Sequence, residues 1–218
     1  MKRIYAFMIL AFASFISSCE KDPIVNTPDM VGTSKVTYYP IITLTGNSIV
    51  AVENGSAFTD PGVKAVAGSS DVPVITSGTI NTDEDGVYSL TYTATNSDGF
   101  SSTASRTVVV YSTDDAAASH DLSGTYLRPA TGVTSTWTRI APGVYQVQNP
   151  GGAAAGTDLI VVAVNPTGFT IKIPEQRASD GSTSSSANEV YTNSTPATYK
   201  WIFLNPTYGT GVRTFVKQ

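Results

Sequence analysis

Between residues 87 and 95 the chain alternates strictly, with Tyr88, Leu90, Tyr92 and Ala94 separated by Ser89, Thr91 and Thr93. A period of two over that length describes a strand with one buried and one wet face. Asn96-Ser97-Asp98-Gly99 then supplies an Asp-Gly turn, and the chain returns over 101–111, ending in Val108-Val109-Val110-Tyr111. The pair reads as a hairpin. Shorter apolar runs at 41–44, 48–52, 63–66 and 74–76 precede it at turn-punctuated spacing, which predicts a β-sandwich over residues 39–111.

The same patterning resumes after a small, polar, acidic break at 112–120. Candidate strands fall at 123–127, 135–140, 144–148, 158–164, 169–173, 189–192, 198–204 and 212–216, with no helix between them. Such a run predicts a second antiparallel β domain over 121–218, either a small barrel or a sandwich. Ala141-Pro142-Gly143 and Asn165-Pro166-Thr167-Gly168 suit tight turns, because proline fixes one turn dihedral and glycine permits the next. The Ser-rich stretch 178–187 carries no period and reads as a loop. The expected fold class is therefore all-β throughout.

Composition changes this picture only at its edges. Charged residues make up 14% of the chain, with 17 acidic against 13 basic side chains and a net charge of −4. Such a chain is a poor nucleic-acid binder, and no nucleic-acid partner is expected. The N-terminus is organised differently from the rest. Lys2 and Arg3 precede an apolar run from Ile4 to Ile16, which leads into Ser17, Ser18 and Cys19, the single cysteine. A basic start, an apolar core too short to span a bilayer and small residues before a cleavage point describe a secretory signal. Removing Lys2 and Arg3 with it would move the net charge from −4 to −6. From residue 20 to 38 Pro23, Asn26, Pro28 and Gly32 interrupt any periodicity, as in a tether.

The stretch Ile16-Ser17-Ser18-Cys19 resembles the lipobox of bacterial lipoproteins, in which the cysteine is acylated and becomes the new N-terminus. The resemblance implies a signal peptide over 1–18, a lipidated tether over 19–38, and a membrane partner reached through lipid on Cys19. Two or three acyl chains anchor stably where one does not. Glu20-Lys21-Asp22 resembles the signal that Bacteroides-type bacteria use to export lipoproteins to the cell surface, which implies an outer-membrane, surface-exposed location. The segment 39–111 resembles bacterial immunoglobulin-like domains of the cadherin-like and hyalin-repeat kind. It carries Phe58-Thr59-Asp60-Pro61-Gly62, then Gly86-Val87-Tyr88-Ser89-Leu90-Thr91-Tyr92 continuing through Asn96 to Gly99, and a closing Val108-Val109-Val110. Such domains serve as spacers or adhesion modules. Leu122-Ser123-Gly124-Thr125-Tyr126 and the stretch from Thr136 to Tyr145 resemble the C-terminal domains of Bacteroides-type surface lipoproteins.

Candidate chemistry is sparse. A Ser-His-Asp triad needs a histidine poised near a nucleophile. The single histidine, His120, lies between Ser119 and Asp121, and adjacent side chains point to opposite sides of an extended chain, so a solvated linker position is expected for it. One histidine and no free cysteine argue against a metal site, and neither metal nor cofactor is expected. Asp83, Glu84 and Asp85 read as a solvated turn rather than as paired carboxylates of a glycosidase. No enzymatic activity is expected.

Glycan binding asks for less: aromatic faces to stack on sugar C–H surfaces, and polar groups to orient hydroxyls. Tyr199, Trp201 and Phe203 share a strand face and read as core. Trp137 shares its face with Ser135 and Arg139 and is the better platform candidate, with burial as the competing reading. Tyr208, in a turn-like segment, comes second, and Tyr145 and Arg139 complete the candidate ligand-binding set. The expectation is a non-catalytic surface module that captures a polysaccharide or other glycan for an outer-membrane uptake system, in which an outer-membrane protein would be a partner. The alternative is a structural or adhesion protein that contacts another protein, with the immunoglobulin-like domain as spacer.

Overall fold

The computed structural model describes residues 30–31, 34–154 and 158–218. Cys19 and the whole expected signal segment lie outside the described residues. The chain divides into two compact units between Tyr38 and Tyr39. In the first, β1 (Met30–Val31) pairs antiparallel with β2 (Ser34–Lys35). Everything that follows belongs to the second.

That unit begins with two facing sheets. One has the order β3-β5-β6, built from β3 (Ile41–Leu44), β5 (Val63–Ala67) and β6 (Ser70–Asp71). The other has the order β4-β9-β8-β7, built from β4 (Ile49–Glu53), β7 (Val74–Ser77), β8 (Gly86–Thr95) and β9 (Ser101–Tyr111). Within it β4 runs parallel to β9, and the β8–β9 hairpin pairs from Gly86↔Val110 to Thr95↔Ser101. The alternation in β8 has the expected consequence, since Leu90, Tyr92 and Ala94 are buried while Ser89 and Thr95 face water.

The turn motif is explained by one buried cation. Arg106 of β9 is fully enclosed, with its Nε 3.1 Å from Asp60 Oδ1. Its Nη2 donates to the carbonyls of Thr45 (2.8 Å) and Gly62 (3.1 Å), and Nη1 donates to the carbonyl of Asn47. Tyr92 Oη donates to the same Asp60 oxygen at 2.8 Å, and the Gly62 amide donates to it at 3.2 Å. Gly62 sits at φ +81°, a conformation that a side chain would strain. A buried guanidinium needs both a counter-charge and acceptors for its remaining donors, and the loop around Asp60 supplies them.

The C-terminal end of β9, from Val108 to Tyr111, is buried on both faces, which accounts for its unbroken apolar run. Val108 and Val110 face the sandwich core, while Val109 and Tyr111 pack with Val144 and Val162 of the second domain. Between the domains lies α1 (Asp115–Ser119), capped by Asp114, whose Oδ1 accepts from the Ala117 amide at 2.6 Å. The joint is stitched further by Thr113 Oγ1 to Asn165 O (2.9 Å), Asp114 N to Pro166 O (3.0 Å) and Arg139 Nη2 to Ala118 O (2.6 Å). Residues 112–120 are thus an ordered, packed connection.

The second domain is an eight-stranded antiparallel sheet of order β13-β12-β11-β10-β17-β16-β15-β14. Its strands are β10 (Gly124–Arg128), β11 (Val133–Ala141), β12 (Val144–Gln148), β13 (Ile160–Val164), β14 (Gln176–Arg177), β15 (Thr183–Thr192), β16 (Thr198–Leu204) and β17 (Val212–Lys217). The expected Pro142-Gly143 turn joins β11 to β12. Gly143 is required there twice over, by its φ of +73° and because a Cβ would stand 2.6 Å from Thr113 Oγ1.

The sheet curls until its two ends meet. At the seam the buried Gln176 side chain takes the place of a strand: Oε1 accepts from Val162 N and Nε2 donates to Val162 O, both at 2.7 Å. Backbone bonds from Ser179 N to Ile160 O (3.0 Å) and between Val164 and Lys172 (2.8 and 2.9 Å) extend the closure. The result is a small barrel, one of the two architectures the pattern allowed.

Two local expectations fail. Residues 169–173 form a single bridge at Lys172 rather than a strand. The Ser-rich stretch 178–187 is not a free loop, since 183–187 belong to β15 and pair with β16 from Ser185↔Leu204 to Ala187↔Ile202. Its hydroxyls are satisfied locally, Ser184 Oγ accepting from Asn205 Nδ2 (2.9 Å) and Ser186 Oγ from Ile173 N (2.7 Å). Serines so bonded sit in a sheet without any hydrophobic period to betray them.

Candidate functional site

The four ligand-binding candidates do not form an exposed site: Trp137, Tyr145 and Arg139 are neighbours, but both rings are buried, and Tyr208 lies elsewhere. Trp137 is 2% exposed and lies inside the barrel, its ring stacked 5.5 Å from Trp201 and tilted against Tyr126, Tyr145 and Tyr199 at 5.1–5.9 Å. Tyr145 is also fully buried, accepting from Leu122 N (3.2 Å) and donating to His120 O (2.9 Å); burial pushes its phenol pKa up. Neither can be a platform. The polar neighbours of Trp137 misled, because both point inward with their polar atoms satisfied. Ser135 Oγ donates to Gln148 O at 3.0 Å, and Arg139 reaches the barrel's end to bond α1. Tyr208 sits at the opposite end, half-buried between Phe203 (5.1 Å) and the guanidinium of Arg213 (5.5 Å). Tyr199, Trp201 and Phe203 are core, as their shared face implied.

Other aromatic side chains do gather at the barrel end next to α1. His120 stacks on Phe169 at 3.9 Å, and Phe169 stacks on Tyr191 at 5.6 Å with the rings nearly parallel. His120 is therefore no free linker residue; the turn after β13 delivers a ring to meet it. This ladder lines one side of a cleft of about 440 Å³, faced by Pro196 and completed by Asp121 and Lys217. Lys217 Nζ lies 5.7 Å from the Tyr126 ring centroid, which holds the ammonium at the mouth. Burial works against ionisation of Asp121, but hydrogen bonds from Ser123 and the nearby charges of Arg139 and Lys217 prevail and hold its pKa below the ordinary carboxylate value. The mouth thus presents one anion and one cation beside stacked rings. Phe169 and His120 lie far apart in the chain, and no local pattern joins them.

A second opening, of about 710 Å³, lies between the β8–β9 face and the barrel seam. Hydroxyl side chains line part of its wall, among them Ser89, Thr91, Ser105 and Thr107, beside apolar residues such as Ile49, Val87 and Ile160. The acidic turn is structural. Asp85 accepts from Asn54 Nδ2 (2.7 Å), Ser112 N (3.1 Å) and Ser112 Oγ (2.9 Å), which ties the turn to the end of β9. Among the described residues no cluster of three metal-ligating side chains occurs.

Comparison with known proteins bears on the first domain. Residues 42–110 match the family model described as bacterial surface protein, Ig-like domain. This segment is similar to bacterial surface immunoglobulin-like domains. Its strands, its Asp60 turn and its closing valines are those on which the sequence resemblance rested, and a role at the cell surface fits the match. No curated protein matches the chain. Among solved structures, the lipoprotein BT2262 from Bacteroides thetaiotaomicron is 22% identical, with a TM-score of 0.44, over 82% of this chain and 100% of its own. A Clostridium perfringens ZmpB structure, comprising the M60 catalytic domain with the CBM51-1 and CBM51-2 domains, is 11% identical, with a TM-score of 0.33, over 84% of this chain and 22% of its own.

Proposed function

We propose that the protein is a non-catalytic, lipid-anchored binding module of the outer cell surface, and that it captures a glycan in the cleft at the barrel end. The observation that carries this reading is the His120–Phe169–Tyr191 ladder beside Asp121 and Lys217. Stacked rings offer flat apolar surface to sugar C–H groups, and the flanking charges offer hydrogen bonds to hydroxyls. The immunoglobulin-like domain holds the barrel away from the membrane, and Cys19 supplies the anchor. Retardation of the full chain, purified in detergent, in native gels containing plant, host or microbial polysaccharides tests the reading. One glycan class should retard it, and Tyr191→Ala should abolish the effect while the variant stays folded and melts in a single transition. Silence across the panel, or retardation indifferent to Tyr191, would overturn it.

A second reading is favoured by a separate observation. Strands β3 and β7 are sheet edges, and Ile41 and Ile75 on them are 66% and 72% exposed. Unpaired edges with apolar side chains suit strand-to-strand contact with another protein, which is the adhesion or scaffold alternative. Replacing Ile75 with lysine would weaken such a contact and leave glycan retardation untouched.

A further inference from the structure

The barrel end opposite the aromatic cleft holds two guanidinium groups and, among the described residues, no carboxylate within ion-pair distance of either. Arg128 is an inward-facing residue of β10 and Arg213 an inward-facing residue of β17; the β10–β17 register carries Arg128 across from the buried Phe215, and Arg213 stands two residues before Phe215 on the same face of its strand. Arg213 is only 8% exposed. Its Nη1 and Nη2 donate to Gly211 O (3.1 Å) and Gly209 O (3.2 Å), and its ring neighbour is Tyr208. Arg128 Nη1 donates to Gly151 O (3.3 Å) and Gly152 O (3.2 Å). The Nε atoms of both arginines are buried with no hydrogen-bond partner. Neither side chain forms an ion pair among the described residues, whereas the other enclosed arginine, Arg106, has Asp60.

Two like charges brought together out of water are costly, and carbonyl oxygens answer only part of that cost. Burial and then the neighbouring Arg128 lower the pKa of Arg213, as expected for charge held without a counter-ion. Two planar forks with donors to spare match the lone pairs of an oxyanion, which would neutralise both at once. The adjoining loop leaves open space beside its two glycines. At Gly209 and Gly211 an added Cβ would meet nothing within 4 Å, and neither residue has a left-handed backbone, so the glycines there are not imposed by local sterics. By contrast Gly151 and Gly152 form a fixed floor, where a Cβ would come within 2.3 Å of Tyr208 and 2.6 Å of Arg128.

We infer that Arg128 and Arg213, with Tyr208 beside them, form a binding site for an oxyanionic group, the carboxylate or sulfate ester of an acidic ligand. The site stands apart from the aromatic cleft, so it survives or fails independently of glycan capture there.

The test is calorimetric titration of the full chain in detergent with sodium sulfate and with sodium galacturonate, at ionic strength held constant with sodium chloride. Saturable binding of sulfate alone identifies a sulfate ester as the natural group, and of galacturonate alone a carboxylate; both outcomes support the site. Arg213→Gln should weaken the bound anion by about tenfold or more, as expected for loss of a charged fork. It should not lower the melting temperature in chloride-only buffer, because the variant relieves repulsion and leaves only carbonyls of exposed residues. No saturable binding of either anion to the unaltered protein overturns the inference, and so does equal affinity in Arg213→Gln.

Discussion

The two β domains of this protein solve the same problem with opposite materials. The immunoglobulin-like sandwich is cored mainly by aliphatic side chains, with Tyr92 among them, around an enclosed arginine, Arg106, that pairs with the partly exposed Asp60. The barrel is cored by rings, with Tyr126, Trp137, Tyr145, Tyr199, Trp201, Phe203 and Phe215 all buried. A sandwich can hold its loop in place with a charged bolt because the bolt's partner lies on that loop. A closed barrel has a wider interior, and large flat side chains fill it with favourable tilted and stacked contacts.

The largest test of that difference is Trp137→Ala. Removing the ring leaves a cavity among four aromatic neighbours, and the expected loss is about 4 kcal/mol by chemical denaturation. A variant that loses glycan retardation yet melts unchanged would restore Trp137 as a platform and contradict its burial. The matching test in the sandwich is Arg106→Ala. It leaves the Asp60 carboxylate without its cation and the carbonyls of Thr45, Asn47 and Gly62 without their shared donor, and about 3 kcal/mol should be lost. Asp60 is 26% exposed, so water can recover part of its solvation, which puts this effect below the first.

The two regions also differ in how far the chain announced them. The sandwich was legible because its signals are local: the Asp60 turn, the alternation of β8 and the Asp-Gly hairpin each span a few residues. The barrel's strands were mostly legible and its interior was not. Period two assigns residues to faces but does not say which face is inside, and Ser135 and Arg139 beside Trp137 gave the wrong sign. The pattern did hold a usable signal at the other end, since Tyr126 with Arg128 and Phe215 with Arg213 place each arginine on a core face. The Ser-rich half of β15 was invisible because its hydrogen bonds, not its hydrophobicity, keep it in the sheet. The aromatic cleft was hidden for another reason. His120, Phe169 and Tyr191 come from a connection, a turn and a strand that only the fold brings together.

A third test addresses barrel closure itself. Gln176→Leu keeps the volume and removes both seam bonds, leaving Val162 N and O buried without partners. A loss of about 2 kcal/mol is expected, together with faster amide exchange at Val162. Unchanged exchange there would mean that the flanking backbone bonds at Ile160 and Val164 close the barrel unaided. The sandwich has no equivalent residue, because its sheets stay open.

The smallest expected effect falls where the two domains join. Hydrogen bonds from the Ala117 and Gly168 amides hold the Asp114 carboxyl below its ordinary value of 3.8. The unfolded chain therefore takes up this proton at a higher pH than the folded chain does. The stability that the charged cap contributes is complete above the unfolded value and disappears as pH falls through it toward the folded one. Asp114→Asn should be slightly less stable than the unaltered protein at pH 7, and the gap should narrow as the pH falls below about 4. Denaturation curves of both proteins at neutral and acidic pH read this directly, and a gap independent of pH would remove Asp114 as its source. Both proteins should still melt in a single transition at pH 7. The apolar contact of Val109 and Tyr111 with Val144 and Val162 does not titrate, and it keeps the aliphatic sandwich and the aromatic barrel one cooperative body after the cap is weakened.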